Sequence, residues 1–406
     1  MLRNRTLLAI ALSVCAAYTG IGMVVPVRVL YAQSHGASLA IIGAMASAYL
    51  VSNFVFQYPS GWLADRWGRK QVMVLGLLIQ AVLSILYLLI PDPILFVILR
   101  FIEGMAAAAI LPSARAMIID IVPAEKQGEA FGIFSAFFNG GFLIGPGLGG
   151  LLATTGYASA FIGAALFRIV AIVLVIFMIP AVRKETSISR GERTSLWISY
   201  RALFTVPLMG AYILAFGDFL YLGFDLTLLP LWMHDHLGAS VAIIGIAYMA
   251  WAIPNIIFSA VGGRVADRAR RSLIIAIFGL AQVPIYIALG LATMAGAVVA
   301  LFAIHGCLYA FIQPAVDAHV AHSSRSTMRA RVQGMYATFG LVGAFFGANV
   351  FSPLYALNYR LPLFTMGTLF GLCVIVGGIM VRISEARRKV SEAVAEPLAE
   401  QPRVLP

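Results

Sequence analysis

Four carboxylic side chains interrupt long apolar stretches of this 406-residue chain: Glu103, Asp218, Asp225 and Asp317. Arg100, Arg115, Arg168 and His305 do the same. An ionisable group at bilayer depth costs about 2.5–3.5 kcal/mol on insertion scales, so each needs a reason. The chemistry open to the carboxyls is proton carriage. Poor hydration favours the protonated form, so such a group can load a proton on one side and release it on the other. It can also trade that proton for a cationic molecule. Counting roughly 1.5 Å per residue from the ends of their runs puts Glu103 and Asp218 near mid-depth. Asp225 follows Asp218 by seven residues, two turns on and on nearly the same helix face. Asp218 and Glu103 are the candidate carriers, with Arg100 tuning Glu103. Arg100 and Glu103, three apart on one face, equally read as a structural pair. Asp218 has no cation near it in sequence, and Asp317 also reads as an interfacial charge.

The elements that position these groups are transmembrane helices. Hydrophobic residues make up 61% of the chain and charged residues 11%, with mean hydropathy +0.93. Soluble domains carry about 25% charged residues. A spanning helix needs about 20 mostly apolar residues. Twelve such runs can be placed, near 7–31, 40–60, 71–90, 94–119, 130–154, 159–181, 203–232, 241–261, 272–293, 296–320, 333–355 and 362–382. Arg3 and Arg5 before the first run imitate a signal peptide. The run continues to Tyr31 without a small-residue cleavage site, which predicts a retained first helix.

The chain repeats itself at an offset of 202. Gly36-Ala37-Ser38-Leu39-Ala40-Ile41-Ile42-Gly43 returns as Gly238-Ala239-Ser240-Val241-Ala242-Ile243-Ile244-Gly245. Asn53 returns as Asn255, Gly104 as Gly306, Pro112 as Pro314 and Gly132 as Gly334. A sustained ungapped match marks a duplicated unit. The expected organisation is a six-helix bundle over 1–181, a polar linker over 182–202, a second six-helix bundle over 203–386 and a disordered charged tail over 387–406. His305 occupies the repeat position of Glu103, so the two are expected to face each other across a pseudo-twofold axis.

The basic residues fall in short loops. With the helices placed as above, 23 of the 28 Lys and Arg lie on one side. The other side has Arg28 and Arg360. This bias predicts that both termini and the linker are cytoplasmic. It also explains the net charge of +11 without nucleic acid.

Three motifs carry a resemblance. Between runs two and three lies Gly61-Trp62-Leu63-Ala64-Asp65-Arg66-Trp67-Gly68-Arg69-Lys70, read as a compact charged loop. Its repeat is Gly263-Arg264-Val265-Ala266-Asp267-Arg268-Ala269-Arg270-Arg271. Run four carries Arg100, Gly104, Ala107 and Ala108, with Glu103 between them. Run five carries Gly132, Gly141, Gly145, Pro146, Gly149 and Gly150. With twelve runs in two repeats, the chain resembles the major facilitator superfamily over about residues 5–385. The run-five motif resembles that of the twelve-helix drug–proton antiporters, although Glu103 stands where the family usually has Gln.

The resemblance implies an all-α membrane protein of two pseudo-symmetric six-helix bundles, working by alternating access. It implies that runs 1, 4, 7 and 10 line a central cavity. It further implies a cytoplasmic latch, with Asp65 against the start of run 11, near Gln333, and Arg69 against Asp120. Asp267 and Arg271 act similarly against run 5; Gly61, Arg66 and Gly68 complete the first latch motif and Arg268 the second. Arg and Lys alone would set topology, so the matched Asp65 and Asp267 favour a latch over a topology signal. Arg270 in place of Gly68 predicts a looser second latch.

Gly141, Gly145 and Gly149 form a small stripe, which allows close helix approach in lipid. Pro146 removes a backbone hydrogen bond and permits a bend. Ordinary packing explains the same stripe.

Tyr18, Met23, Asn53, Tyr221, Phe224, Trp251, Asn255 and Phe311 are candidate cavity residues, suited to bulky lipophilic ligands. The same residues can equally face lipid or neighbouring helices. His234-Asp235-His236 and the trio Asp317, His319 and His322 invite a metal reading. Neither has Cys support or a second ligand pair, so no metal site and no cofactor is expected. Cys15, Cys307 and Cys373 lie apart and predict no disulfide.

The leading expectation is a monomeric, proton-coupled exporter of lipophilic or cationic small molecules in a bacterial plasma membrane. Its partners are the substrate, protons and the lipid bilayer. The first alternative is a proton symporter importing a sugar or organic acid. A membrane-embedded transferase is the alternative of another class. It needs a converging nucleophile set, for which Asp317 and His319 are the nearest approach. No G-x4-G-K-[ST] phosphate loop is present for hydrolytic pumping.

Overall fold

A computed structural model describes residues 4–123, 126–180, 203–324 and 328–399. The first half contains α1 (Arg5–Ser34), α2 (Leu39–Trp67), α3 (Arg69–Leu89), α4 (Pro93–Ile121), α5 (Gln127–Leu152) and α6 (Tyr157–Met178). The second half contains α7 (Val206–Thr227), α8 (Leu229–Leu237), α9 (Val241–Arg268), α10 (Arg271–Leu280) and α11 (Val283–Leu291). It ends with α12 (Ala295–Ser323), α13 (Arg329–Leu357) and α14 (Leu361–Ala399). Among the described residues, twelve helical spans are long and apolar enough to cross a membrane, with α10 and α11 counting as one. They fall where the twelve apolar runs predicted. The expected linker at 182–202 lies outside the described residues.

Proline explains the two broken spans. Pro230 lies in the first turn of α8 and Pro284 in the first turn of α11. A proline offers no amide donor to the preceding turn, so each span restarts there. The second break leaves Gln282 between two helices, fully buried.

The motif at 61–70 is not the expected loop. Gly61–Trp67 is the end of α2, Arg69 already begins α3, and one residue separates them. Gly68 makes this possible with φ at 105°, a region that L side chains rarely adopt. In the second half Ala269 and Arg270 share the corner, both with negative φ. Gly68 is therefore replaced by a two-residue break.

The tail also differs from expectation. α14 runs on to Ala399 rather than dissolving after 386. The segment is rich in Ala, Glu, Arg and Lys, has no glycine and meets its first proline only at 397. Such a composition favours helix.

The duplication is visible residue by residue. Ser38 caps α2 by accepting from Ile41 N at 3.3 Å, and Ser240 caps α9 by accepting from Ile243 N at 3.4 Å. A Cβ on Gly104 would meet the carbonyl of Tyr49 at 2.4 Å, and one on Gly306 that of Trp251 at 2.0 Å. Tyr49 and Trp251 are themselves 202 apart. Within the bundles α1 packs along α5 and α7 along α13, while α2 packs along α4 and α9 along α12.

The halves meet through α5 against α9 and α2 against α13. These contacts cluster at one end, on the face opposite the clustered basic residues. Gly43 approaches Ala348 and Ser352, and Gly245 approaches Pro146. Asn349 Nδ2 donates to Ser47 Oγ at 2.8 Å, and Gly147 packs on Met249. Each pair is the image of the other under the 202 offset. Gln33 Nε2 donates to Asp235 Oδ2 at 2.8 Å, joining two repeat-equivalent positions. At the basic end a Cβ on Gly61, Gly132, Gly263 or Gly334 would meet nothing within 4 Å. Among the described residues, the halves thus meet at the far face, and these four glycines at the basic face border open space.

Candidate functional site

The central polar feature of the second half joins α7 to α12. Asp218, half-buried on α7, accepts at Oδ2 a hydrogen bond from the Tyr309 hydroxyl at 3.0 Å. The same hydroxyl lies 3.1 Å from Gln313 Oε1. Gln313 Nε2 donates to Asp317 Oδ1 at 3.1 Å. Residues 309, 313 and 317 lie four apart on α12, so they stack along one face. The chain of polar groups runs from Asp218 to the exposed Asp317, toward the basic end. Tyr309 and Gln313 were missed in the sequence. The polar stripe at four-residue spacing was the signal available.

Asp225 stands further along α7. Its backbone carbonyl accepts from the Tyr248 hydroxyl at 3.3 Å, and its Oδ1 is buried without a hydrogen-bond partner. Tyr221 packs edge-on to His305 at 5.3 Å, and Trp251 stands 5.4 Å from Tyr309. Trp251 Nε1 also lacks a partner. The arrangement is an aromatic wall next to two carboxyls, with no arginine or lysine facing it among the described residues.

Glu103 is placed differently from expectation. It does not face a cavity as a free carboxyl. It is 4% exposed and lies inside the first bundle. Arg28 Nη2 donates to Oε1 at 2.8 Å, and Arg100 Nη1 donates to Oε2 at 3.0 Å. Arg168 Nη2 stands 3.9 Å from Oε1. Arg168 also donates to Gln80 Oε1 at 3.3 Å and to Ser84 Oγ. The Arg100 guanidinium covers the Tyr49 ring at 4.1 Å. Arg28, counted by sequence among the far-side loop residues, is an interior residue of α1. The Arg100–Glu103 pair is thus part of a larger buried cluster.

His305 and Glu103 do not meet across the pseudo-twofold axis. His305 is buried in the second bundle, its Nε2 2.9 Å from Gln282 Oε1 and 3.2 Å from the Tyr286 hydroxyl. Each side chain points into its own bundle and meets polar partners there, although His305 Nδ1 is buried without one.

The charged corners follow the same local logic. Arg69 pairs with Asp120 and stands 3.9 Å from Asp65. Lys70 Nζ donates to the carbonyls of Ile176 and Ile179, at 2.7 and 2.6 Å, closing the end of α6. Asp65 is 67% exposed and no ion pair joins it to α13 among the described residues. Asp267 and Arg268 are exposed, and Arg271 lies 3.4 Å from His322. The second corner is instead held by Glu385. Its carboxylate accepts from Ser272 N at 3.2 Å and Ser272 Oγ at 2.6 Å, at the positive end of α10.

The α5 glycines pack backbone to backbone against α1. A Cβ on Gly141, Gly145 or Gly149 would meet the carbonyls of Cys15, Thr19 or Met23 at 2.6, 2.6 and 1.9 Å. Gly150 faces the other half, where an added Cβ would meet Val241 O at 2.6 Å.

Several candidate cavity residues pack inside bundles. Met23 and Phe224 are fully buried, and Phe311 stacks on Phe278 at 4.4 Å. Tyr18 packs on Phe138 and Phe142. Asn53 Nδ2 donates to Gly104 O at 3.3 Å, while Asn255 stays half-buried. No group of three metal-ligating side chains converges among the described residues.

Two mirrored helical bundles, closed at one face around membrane-embedded carboxyls, define a multi-pass membrane carrier. The Major Facilitator Superfamily model matches residues 10–348, and the chain belongs to that family of transporters. The quinolone resistance protein NorA of Staphylococcus aureus is 27% identical over 257 residues, 63% of this chain. That match spans 65% of NorA. Multidrug resistance protein 2 of Bacillus subtilis is 26% identical over 394 residues, covering 93% of this chain and 95% of its own. A bacterial homologue of the lysosomal transporter Spinster, solved inward-facing and unoccupied, superposes with a TM-score of 0.73. It shares 16% identity over 93% of this chain and 96% of that one, a likeness of fold.

Proposed function

We propose that the chain is a proton-coupled exporter of lipophilic or cationic small molecules, working as a monomer in a bacterial plasma membrane. The basic face is the cytoplasmic one. The contacts between the halves at the far face fit a carrier open to the cytoplasm. The observation that carries this reading is Asp218. It is a membrane-embedded carboxyl without a cationic partner among the described residues, linked through Tyr309 and Gln313 to Asp317 at the basic end. Proton release from Asp218 has a polar route inward in this state. A cationic substrate entering beside Trp251 and Tyr221 meets the ionised carboxylate and aromatic faces. Substrate binding and protonation of Asp218 then exclude each other, which is the condition for exchange. The relatives named for quinolone and multidrug resistance support the substrate class. Closure of the cytoplasmic end would bring Asp65 to the start of α13, with the Arg69–Asp120 pair holding the corner rigid.

The test uses inside-out vesicles energised to an acidic lumen and a pH-sensitive dye. A panel of lipophilic cations and antibiotics is added to wild type and to Asp218→Asn. Compounds that dissipate the gradient in wild type and not in the variant are the expected result. Proton uptake with a sugar or organic acid into right-side-out vesicles, with no export-type response, would replace this reading by the symporter one.

A further inference from the structure

We infer that the arginine cluster inside the first bundle is a binding site for a small inorganic anion. Arg28, Arg100 and Arg168 are 7%, 3% and 1% exposed, and they share one carboxylate, Glu103. The other described carboxylates of this half sit at helix ends: Asp65 and Asp120 at the basic face, Glu129 in the first turn of α5, and Asp92 as the cap of α4. The cluster therefore carries two uncompensated positive charges in the membrane interior. An arginine does not shed its proton to relieve this. Buried charges are ordinarily paired, and an unpaired one is strongly unfavourable.

A second observation points the same way. Two polar groups around the cluster are buried with no hydrogen-bond partner: Arg28 Nε and Gln80 Nε2. Both can donate. Gln80 is 1% exposed. Gln80 is tied to Arg168 through its oxygen, which leaves its amide hydrogens free. A net positive charge surrounded by spare donors calls for an acceptor carrying negative charge. Water would take the donors and leave the charge. The low exposure of all three arginines favours a monatomic anion such as chloride over the carboxylate of a transported molecule.

The full-length protein in nanodiscs is titrated with sodium chloride against sodium gluconate at constant ionic strength, following thermal unfolding. The expected result is saturable stabilisation by chloride and none by gluconate. Arg28→Gln, which removes one positive charge, weakens the chloride half-saturation about tenfold or more. It remains folded in chloride-free buffer, because it lowers the unpaired charge. A crystal grown in bromide should show anomalous scattering within the triangle of Arg28, Arg168 and Gln80. Equal responses to chloride and gluconate would overturn the inference. So would an unchanged half-saturation in Arg28→Gln, or no bromide at the cluster. Stabilisation by transported carboxylates without any by chloride would also overturn it, assigning the cluster to substrate.

Discussion

Two carboxyls at similar depth have opposite surroundings. Glu103 lies within a shell of three arginines, whereas Asp218 meets a tyrosine hydroxyl and, among the described residues, no cation. Removing the charge of Glu103 strands its partners. Glu103→Gln is therefore expected to cost about 3–5 kcal/mol of stability in thermal or denaturant unfolding. Asp218→Asn replaces a carboxyl by a near-isosteric amide that can still accept from Tyr309. It should unfold like wild type while losing proton exchange. Tyr309→Phe removes the link between Asp218 and Gln313. Slower proton exchange at unchanged substrate affinity is the expected outcome in vesicles. The sequence separated Asp218 from Glu103 only in part, through Arg100 three residues from Glu103 and no cation near Asp218. The partners that separate them come from far away: Arg28 lies 75 residues from Glu103, and Tyr309 lies 91 from Asp218. Arg28 was further disguised by its place near the end of a run, where it read as a loop cation.

At the scale of the element, glycine decides how closely helices approach. Gly149 has the Met23 carbonyl where a Cβ would stand, and Gly132 has open space. Gly149→Ala should cost about 1–3 kcal/mol through forced separation of α1 and α5. Gly132→Ala at the other end of the same helix should be nearly silent. Thermal unfolding of the pair distinguishes the two, and equal losses would contradict the packing described. The stripe itself was legible from its four-residue spacing. Its partner was not, since a smooth face does not say which helix lies on it. The corners show a similar limit. Gly68 permits a one-residue break that no propensity count separates from a loop. Glu385 holds the second corner from 113 residues away.

For the whole molecule, the duplication was the most legible feature, because an offset of 202 survives in residue identities. It predicts which positions are equivalent but not which state the halves adopt. That depends on a weak balance of contacts at the two faces. Here Ser47–Asn349 and Gly147–Met249 close the far face by the same pair of positions used twice. Joining that face covalently should hold the carrier in this state. A Ser47→Cys/Asn349→Cys protein, with the three native cysteines replaced, is expected to lose transport on oxidation and recover it on reduction. Full transport in the oxidised protein would show that these contacts need not part.

The central claim is that the proton is carried in the second half, at Asp218, while Glu103 stays ionised. Infrared difference spectroscopy of the purified protein between acidic and alkaline buffer reads protonated carboxyls directly. The account predicts a carboxylic acid band in wild type that is lost in Asp218→Asn. A band that survives in Asp218→Asn and disappears in Glu103→Gln would contradict it.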